Sequence, residues 1–168
     1  YLELGFDAAT GMRAAIEAVC AQAEAAAREG VLLLILSDRR PRRDQLMLHA
    51  LLATGAVHQH LVRRGLRCAV NLIVETGTAR DPHHFACLIG YGATAVYPYL
   101  AYQTLFDLGR SGALKGKRGS ERAELGRSYR RGIKKGLLES IWKMGISTLG
   151  RYRGAQQFEI VGLAPAVV

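Results

Sequence analysis

Scarcity narrows the possibilities for these 168 residues before any motif does. Only three cysteines occur, Cys20, Cys68 and Cys87, odd in number, far apart and set among apolar residues. That pattern fits reduced thiols better than a disulfide framework, and with no C-x-x-C it gives little footing to structural zinc or an iron–sulfur cluster. No apolar run approaches the ~20 residues that cross a bilayer. The longest strongly apolar one, VLLLIL at 31–36, has the length of a buried strand, so no membrane partner is expected. The first residues carry Glu3 and Asp7 without a basic-then-apolar order, so no secretory signal and a cytoplasmic location are expected. The chain opens without Met and closes on APAVV, which suggests a piece of a larger multidomain protein folding as one α/β domain over 1–168.

Acidic residues are scarce too, 14 against 23 Lys and Arg, for a net charge of +9. The excess is concentrated. Ten basic residues lie between Arg110 and Lys135, opposed only by Glu121 and Glu124. The glycine-rich stretch RSGALKGKRGS (110–120) reads as a mobile basic loop.

What is present alternates. Residues 10–29 read as a helix closed by Gly30, and VLLLILSD as a strand ending in Ser37 and Asp38. Asp44 is a candidate N-cap for a helix over 45–64 closed by Gly65. AVNLIVE (69–75) is a second buried strand. Asp81 and Pro82 stand where an N-cap and first helical residue belong, and the helix they open ends near Gly90 or Gly92. TAVY (94–97) makes a short strand, and Pro98 opens a helix to about Leu108. A helix over 121–144, weakened by three glycines, then leads to a possible strand ISTL (146–149) and a last helix over 152–161. Strands alternating with helices imply parallel strands with helical crossovers, an α/β architecture.

Two glycine motifs are decoys. GYGATA (90–95) matches a dinucleotide fingerprint, which needs a strand before it and a helix after; here the order is reversed. GALKGKRGS lacks the spacing and the hydroxyl of a phosphate-binding loop. His83, His84 and Cys87 share one helical turn, too few ligands for a metal on their own.

The strand ends are better candidates, because ligands in parallel α/β folds sit beyond the carboxyl ends of strands. Asp38 and Glu75 could pair as carboxylates there, with Arg39 or Arg80 holding an anion; a residual flavin or phosphate site is the weakest version of this idea. The plain alternative is salt bridges and helix caps, since no nucleophile and base complete the set. The basic segment offers a rival reading, a free-standing basic α/β module for nucleic acid or an acidic protein. Thin aromatic interleaving, Tyr129 and Trp142 only, argues against nucleic acid.

Several runs together carry a resemblance. ILSDR (35–39), LLATGAVHQHLVRRGLR (51–67), VETGTARDPHHFACLIGYGATAVYPYLAYQTL (74–105) and YRRGIKKGLLESIWKMGISTLGRYRGAQQFEIVGL (129–163) resemble the central domain of the glutamate synthase large subunit. One departure is Tyr97, where such sequences usually carry Asn. The resemblance implies a partial or reduced β/α barrel lying between an amidotransferase domain and a flavin domain of the same enzyme and walling the path of ammonia. It also implies FMN and an iron–sulfur cluster in the parent enzyme, with none bound by this chain and no catalytic residue in it. Apolar helices such as 45–64 and the abrupt ends suggest exposed surface and a possible homo-oligomer.

Overall fold

The computed structural model describes residues 1–40, 42–114, 122–155 and 157. Four parallel strands form its main sheet: β1 (Leu2–Glu3), β3 (Leu33–Ser37), β5 (Asn71–Glu75) and β6 (Ala95–Tyr97). Two more, β2 (Gly5–Asp7) and β4 (Gln45–Met47), make an antiparallel pair beside it. The helices are α1 (Met12–Arg28), α2 (Ala50–Arg63), α3 (Pro82–Gly90), α4 (Tyr99–Ser111), α5 (Arg122–Lys143) and the short α6 (Leu149–Tyr152). Strand order across the main sheet, β1-β3-β5-β6, follows chain order without reversal. A doubly wound sheet reverses at a switch point; a barrel does not.

Strand periodicity assigns the faces. Leu2, Leu34, Leu36, Leu72 and Val74 alternate onto one face and are buried, where α1, α2 and α3 cover them together with Val57, Leu61 and Leu88. Burying a leucine or valine in this way contributes about 1.5–3 kcal/mol each. The opposite face carries Leu33, Ile35, Asn71, Ile73, Ala95 and Tyr97, all half-buried or exposed. Helices therefore line one side of the sheet, as in a wall cut from a β/α barrel.

A charged contact pins α1 to α2. The Glu24 carboxylate accepts from Arg28 at 2.7 Å and lies 2.7 Å from His60 Nε2 and 3.0 Å from Arg64 Nε. Hydrogen bonds from Arg28 and His60, then the charge of Arg64, hold its pKa down at about 2. His58, two residues from His60, faces the other way as helical spacing requires.

Several expectations give way. Residues 45–47 do not begin a helix; they pair with Gly5–Asp7, and α2 starts after His49, whose Nδ1 accepts from the Leu51 N–H at 3.2 Å. Asp44 is thus no cap, because a strand follows it. ISTL is not a strand: Gly145 at φ 72° turns the chain, and Ile146 N–H closes back on the Ile141 carbonyl at 3.2 Å. The last helix is shorter and earlier than expected, Leu149–Tyr152, and most of 156–161 lies outside the described residues. α5 runs unbroken through Gly126, Gly132 and Gly136. Of the basic stretch 110–120, Arg110 and Ser111 finish α4, Gly112 caps it at φ 75°, and 115–120 lie outside the described residues.

Candidate functional site

The carboxyl ends of β3, β5 and β6 meet in one row, with Ser37 opposite Glu75 and Glu75 opposite Tyr97. Glu75 is only 6% exposed, and its carboxylate is fully engaged. Ser37 Oγ donates to Oε2 at 2.7 Å and Arg39 Nη1 to Oε1 at 2.9 Å. Burial pushes the Glu75 pKa up, but these two bonds and the charges of Arg39 and Arg40 outweigh it, so the net shift is downward. Glu75 is therefore a held anion rather than a proton donor.

Asp38 sits beside it with different partners. Thr76 Oγ1 donates to Asp38 Oδ2, and the Gly77 N–H to Oδ1 at 3.0 Å. Thr78 N–H in turn donates to Thr76 Oγ1 at 3.1 Å. The two carboxylates thus have separate partners, Glu75 tying the end of β5 to the residues that leave β3 and Asp38 tying the end of β3 to the residues that leave β5. Arg39 also lies 5.5 Å from the ring centre of Tyr99 and 6.0 Å from that of Tyr97. Burial first, then the charge of Asp38, raises the Tyr99 phenol to about 12.

Arg80, His83 and His84 form a second group next door. They line a cleft of about 600 Å³ with His49, Thr78 and Cys87. Asp81 caps α3 by accepting from the His83 and His84 N–H groups at 2.9 and 3.2 Å, as its position before Pro82 predicts. His84 Nδ1 lies 3.2 Å from the Arg80 backbone nitrogen and 3.4 Å from Asp81 Oδ2. His83 Nε2 lies 3.6 Å from Cys87 Sγ, one helical turn on. Burial, then the Asp81 charge, raises the Cys87 thiol, which opposes thiolate formation.

Neither implied cofactor fits these donors. Among the described residues no cluster of three or more His, Cys, Asp and Glu side chains is arranged for a metal ion. Cys20 is buried on α1 and Cys68 is exposed, so the thiols do not gather as cluster ligands. The N-terminus of α3, at the mouth of the cleft, is capped by the Asp81 carboxylate, which repels phosphate. The expected helix-then-strand order around GYGATA holds, with α3 before the glycines and β6 after.

Sequence reasoning passed over Arg67. Its Nε donates to His58 Nδ1 at 2.9 Å, Nη1 to the Val70 carbonyl and Nη2 to the Gly92 carbonyl, both at 2.7 Å. Gly92, at φ 111°, leaves no room for a Cβ, which would sit 2.3 Å from His58 Nδ1. The GYG run is thus needed for this approach rather than for phosphate, a role that spacing alone does not signal.

A parallel sheet in chain order with helices along one face defines a segment of a β/α barrel. Solved structures agree: a flavocytochrome b2 mutant with benzoylformate superposes with a TM-score of 0.61 at 14% identity, over 88% of this chain and 36% of that one. Another with sulfite bound gives 0.58 at 15% identity over 88% and 37%. The chain belongs to the glutamate synthase central domain family, whose profile matches residues 1–164. It is 47% identical over 147 residues to the NADPH glutamate synthase large chain of Bacillus subtilis, covering 88% of this chain and 9% of that one. It is 43% identical over 158 residues to the NADH enzyme of Schizosaccharomyces pombe, covering 94% and 7%. The ferredoxin-dependent chloroplast enzyme of rice is 43% identical over 167 residues, covering 92% and 10%. The chain thus spans a tenth or less of the length of these relatives. Among the described residues, no helix is long and apolar enough to cross a membrane.

Proposed function

We propose that this chain is a structural and coupling segment of a cytoplasmic glutamate synthase, the enzyme that makes two glutamates from glutamine and 2-oxoglutarate. In this reading it joins an amidotransferase domain to a flavin domain and walls the path of ammonia between them. FMN and the iron–sulfur cluster belong to other parts of the polypeptide, and this segment turns over nothing alone.

The observation that carries the reading is the way the strand-end acids are used. Glu75 and Asp38 accept from Ser37, Arg39, Thr76 and Gly77, so the position where a barrel enzyme keeps its reacting groups holds a clasp instead. A rigid wall needs such internal satisfaction; a catalytic pair needs a free proton or lone pair.

The test is kinetic, on the whole polypeptide that contains this segment. Glu75→Gln and Asp38→Asn should leave glutamine hydrolysis and ammonia-dependent glutamate synthesis working. More glutamine should be hydrolysed per 2-oxoglutarate reduced, because ammonia escapes. Selective loss of either half-reaction in a folded variant would place these residues in chemistry and sink the reading.

A further inference from the structure

The basic segment takes no part in the strand-end site, and α5 shows how much of it is laid out. At about 100° per residue, Arg127, Arg131, Lys134, Lys135, Leu138 and Trp142 fall within one arc of about 100° on the helix. All six are exposed, Leu138 by 53% and Trp142 by 78%. The opposite side of α5 is spoken for. Leu125 is buried, Gly136 lies against the Pro82 ring, and the Tyr129 hydroxyl donates to the Arg80 carbonyl at 2.8 Å, while Ile141, about 20° beyond Lys134 at the stripe's edge, is buried as well.

After the half-buried Glu124 at its start, the outward stripe has two parts, four cations and then, toward its C-terminal end, two large apolar side chains. Among the described residues no ion pair engages any of the four cations. A purely solvated helix face would carry charge along its whole length. An exposed tryptophan one turn from an exposed leucine instead marks an anchor that a partner desolvates.

We propose that this stripe docks on a carboxylate-rich protein face with an apolar socket for Trp142, supplied by another domain of the same polypeptide. Charge complementarity sets the sign of that face. Its source follows from the length of the relatives, of which this chain covers 7–10%. This assignment rests on the reading that the chain works inside a longer glutamate synthase. A second copy of the chain is a poor occupant, since like stripes repel.

The experiment uses the native polypeptide detected with antibody against this segment. Its size on a denaturing gel decides the reading beneath the proposal: a chain of only 168 residues overturns both. Given a longer chain, hydroxyl-radical footprinting reads Trp142 directly. Trp142 should oxidise slowly, in the range of the fully buried Tyr152. Lys134→Glu with Lys135→Glu should raise that rate severalfold, while Lys134→Arg with Lys135→Arg should not. Photoreactive benzoylphenylalanine at position 142 should crosslink within the same polypeptide, to a segment rich in Asp and Glu. Fast oxidation of Trp142 in the long chain overturns the docking proposal and leaves the coupling reading standing. Crosslinks between copies, or protection lost on nuclease treatment, overturn it equally.

Discussion

Arg67 donates through Nε to Nδ1 of His58 at 2.9 Å, which places the imidazole proton on Nε2 and requires a neutral ring. Burial first, then the charges of Arg67 and Arg153, push the His58 pKa below its ordinary 6.5. The unfolded chain therefore binds this proton more readily than the folded one. Stability from His58 is complete above about pH 6.5 and is lost as pH falls through the depressed folded value. A melting-temperature series from pH 8 to 5 should slope downward with acid, and His58→Gln, which keeps an acceptor for Arg67, should flatten that slope.

Glu24 should govern a separate and more acidic window. Its folded pKa of about 2 lies below the ordinary 4.5, so its contribution is present above 4.5 and disappears as pH falls toward 2. Glu24→Gln should shallow the acid limb between those values and leave the His58 limb unchanged. Circular dichroism against pH on both single variants separates the two; a single shared limb would contradict the assignment.

The clasp predicts a similar cost for either partner. Glu75→Gln leaves Arg39 without its ionic partner and should cost about 1.5–3 kcal/mol, in line with hydrogen bonds to charged groups. Ser37→Ala removes the buried hydroxyl that donates to the same carboxylate and should cost about 1.5–3 kcal/mol for the same reason. Urea denaturation with unchanged m-values would check both, and a loss well under about 1 kcal/mol for either variant would contradict the clasp.

Two glycines of α5 should respond in opposite directions. A Cβ on Gly132 meets open space, so Gly132→Ala should stabilise by about 0.5–1 kcal/mol through helix propensity. A Cβ on Gly136 would lie 2.5 Å from Pro82 Cγ and 2.8 Å from its Cβ, atoms of a stiff ring. Gly136→Ala should therefore destabilise by about 1–3 kcal/mol through overpacking between α3 and α5. Parallel thermal melts of the pair read the difference in sign.

Burial also sets the cost at Tyr152, whose hydroxyl donates to the Ala86 carbonyl at 3.0 Å and holds α6 to α3. Tyr152→Phe keeps the ring and loses that bond, with an expected cost of about 1 kcal/mol. A neutral result would mean that the ring alone secures the contact.

Strong local signals made part of this legible. The Asp81-Pro82 start of α3, the two apolar strands and the helix-closing glycines rest on capping and periodicity, which act within a few residues. What escaped depends on partners distant in sequence. Leu2–Glu3 is too short to announce itself, and it is a strand because β3 pairs with it. Gln45–Met47 read as helix because apolar residues run on into α2, and only pairing with Gly5–Asp7 holds it extended. Asp38, Arg39 and Glu75 were recognisable as strand-end groups. That the acids divide between Ser37 with Arg39 and Thr76 with Gly77 is a matter of register across 38 residues, which no local pattern encodes.

That register is itself guarded by the polar row Glu3, Ser37, Glu75 and Tyr97, whose members stand opposite one another across the four parallel strands. A slip of one residue would turn the Glu75 carboxylate into the leucine and valine layer under the helices, and a slip of two would set it opposite Ile35, away from its hydroxyl donor. The clasp thus works as a proofreading mark: of the alignments open to short apolar strands, only one leaves no buried anion stranded.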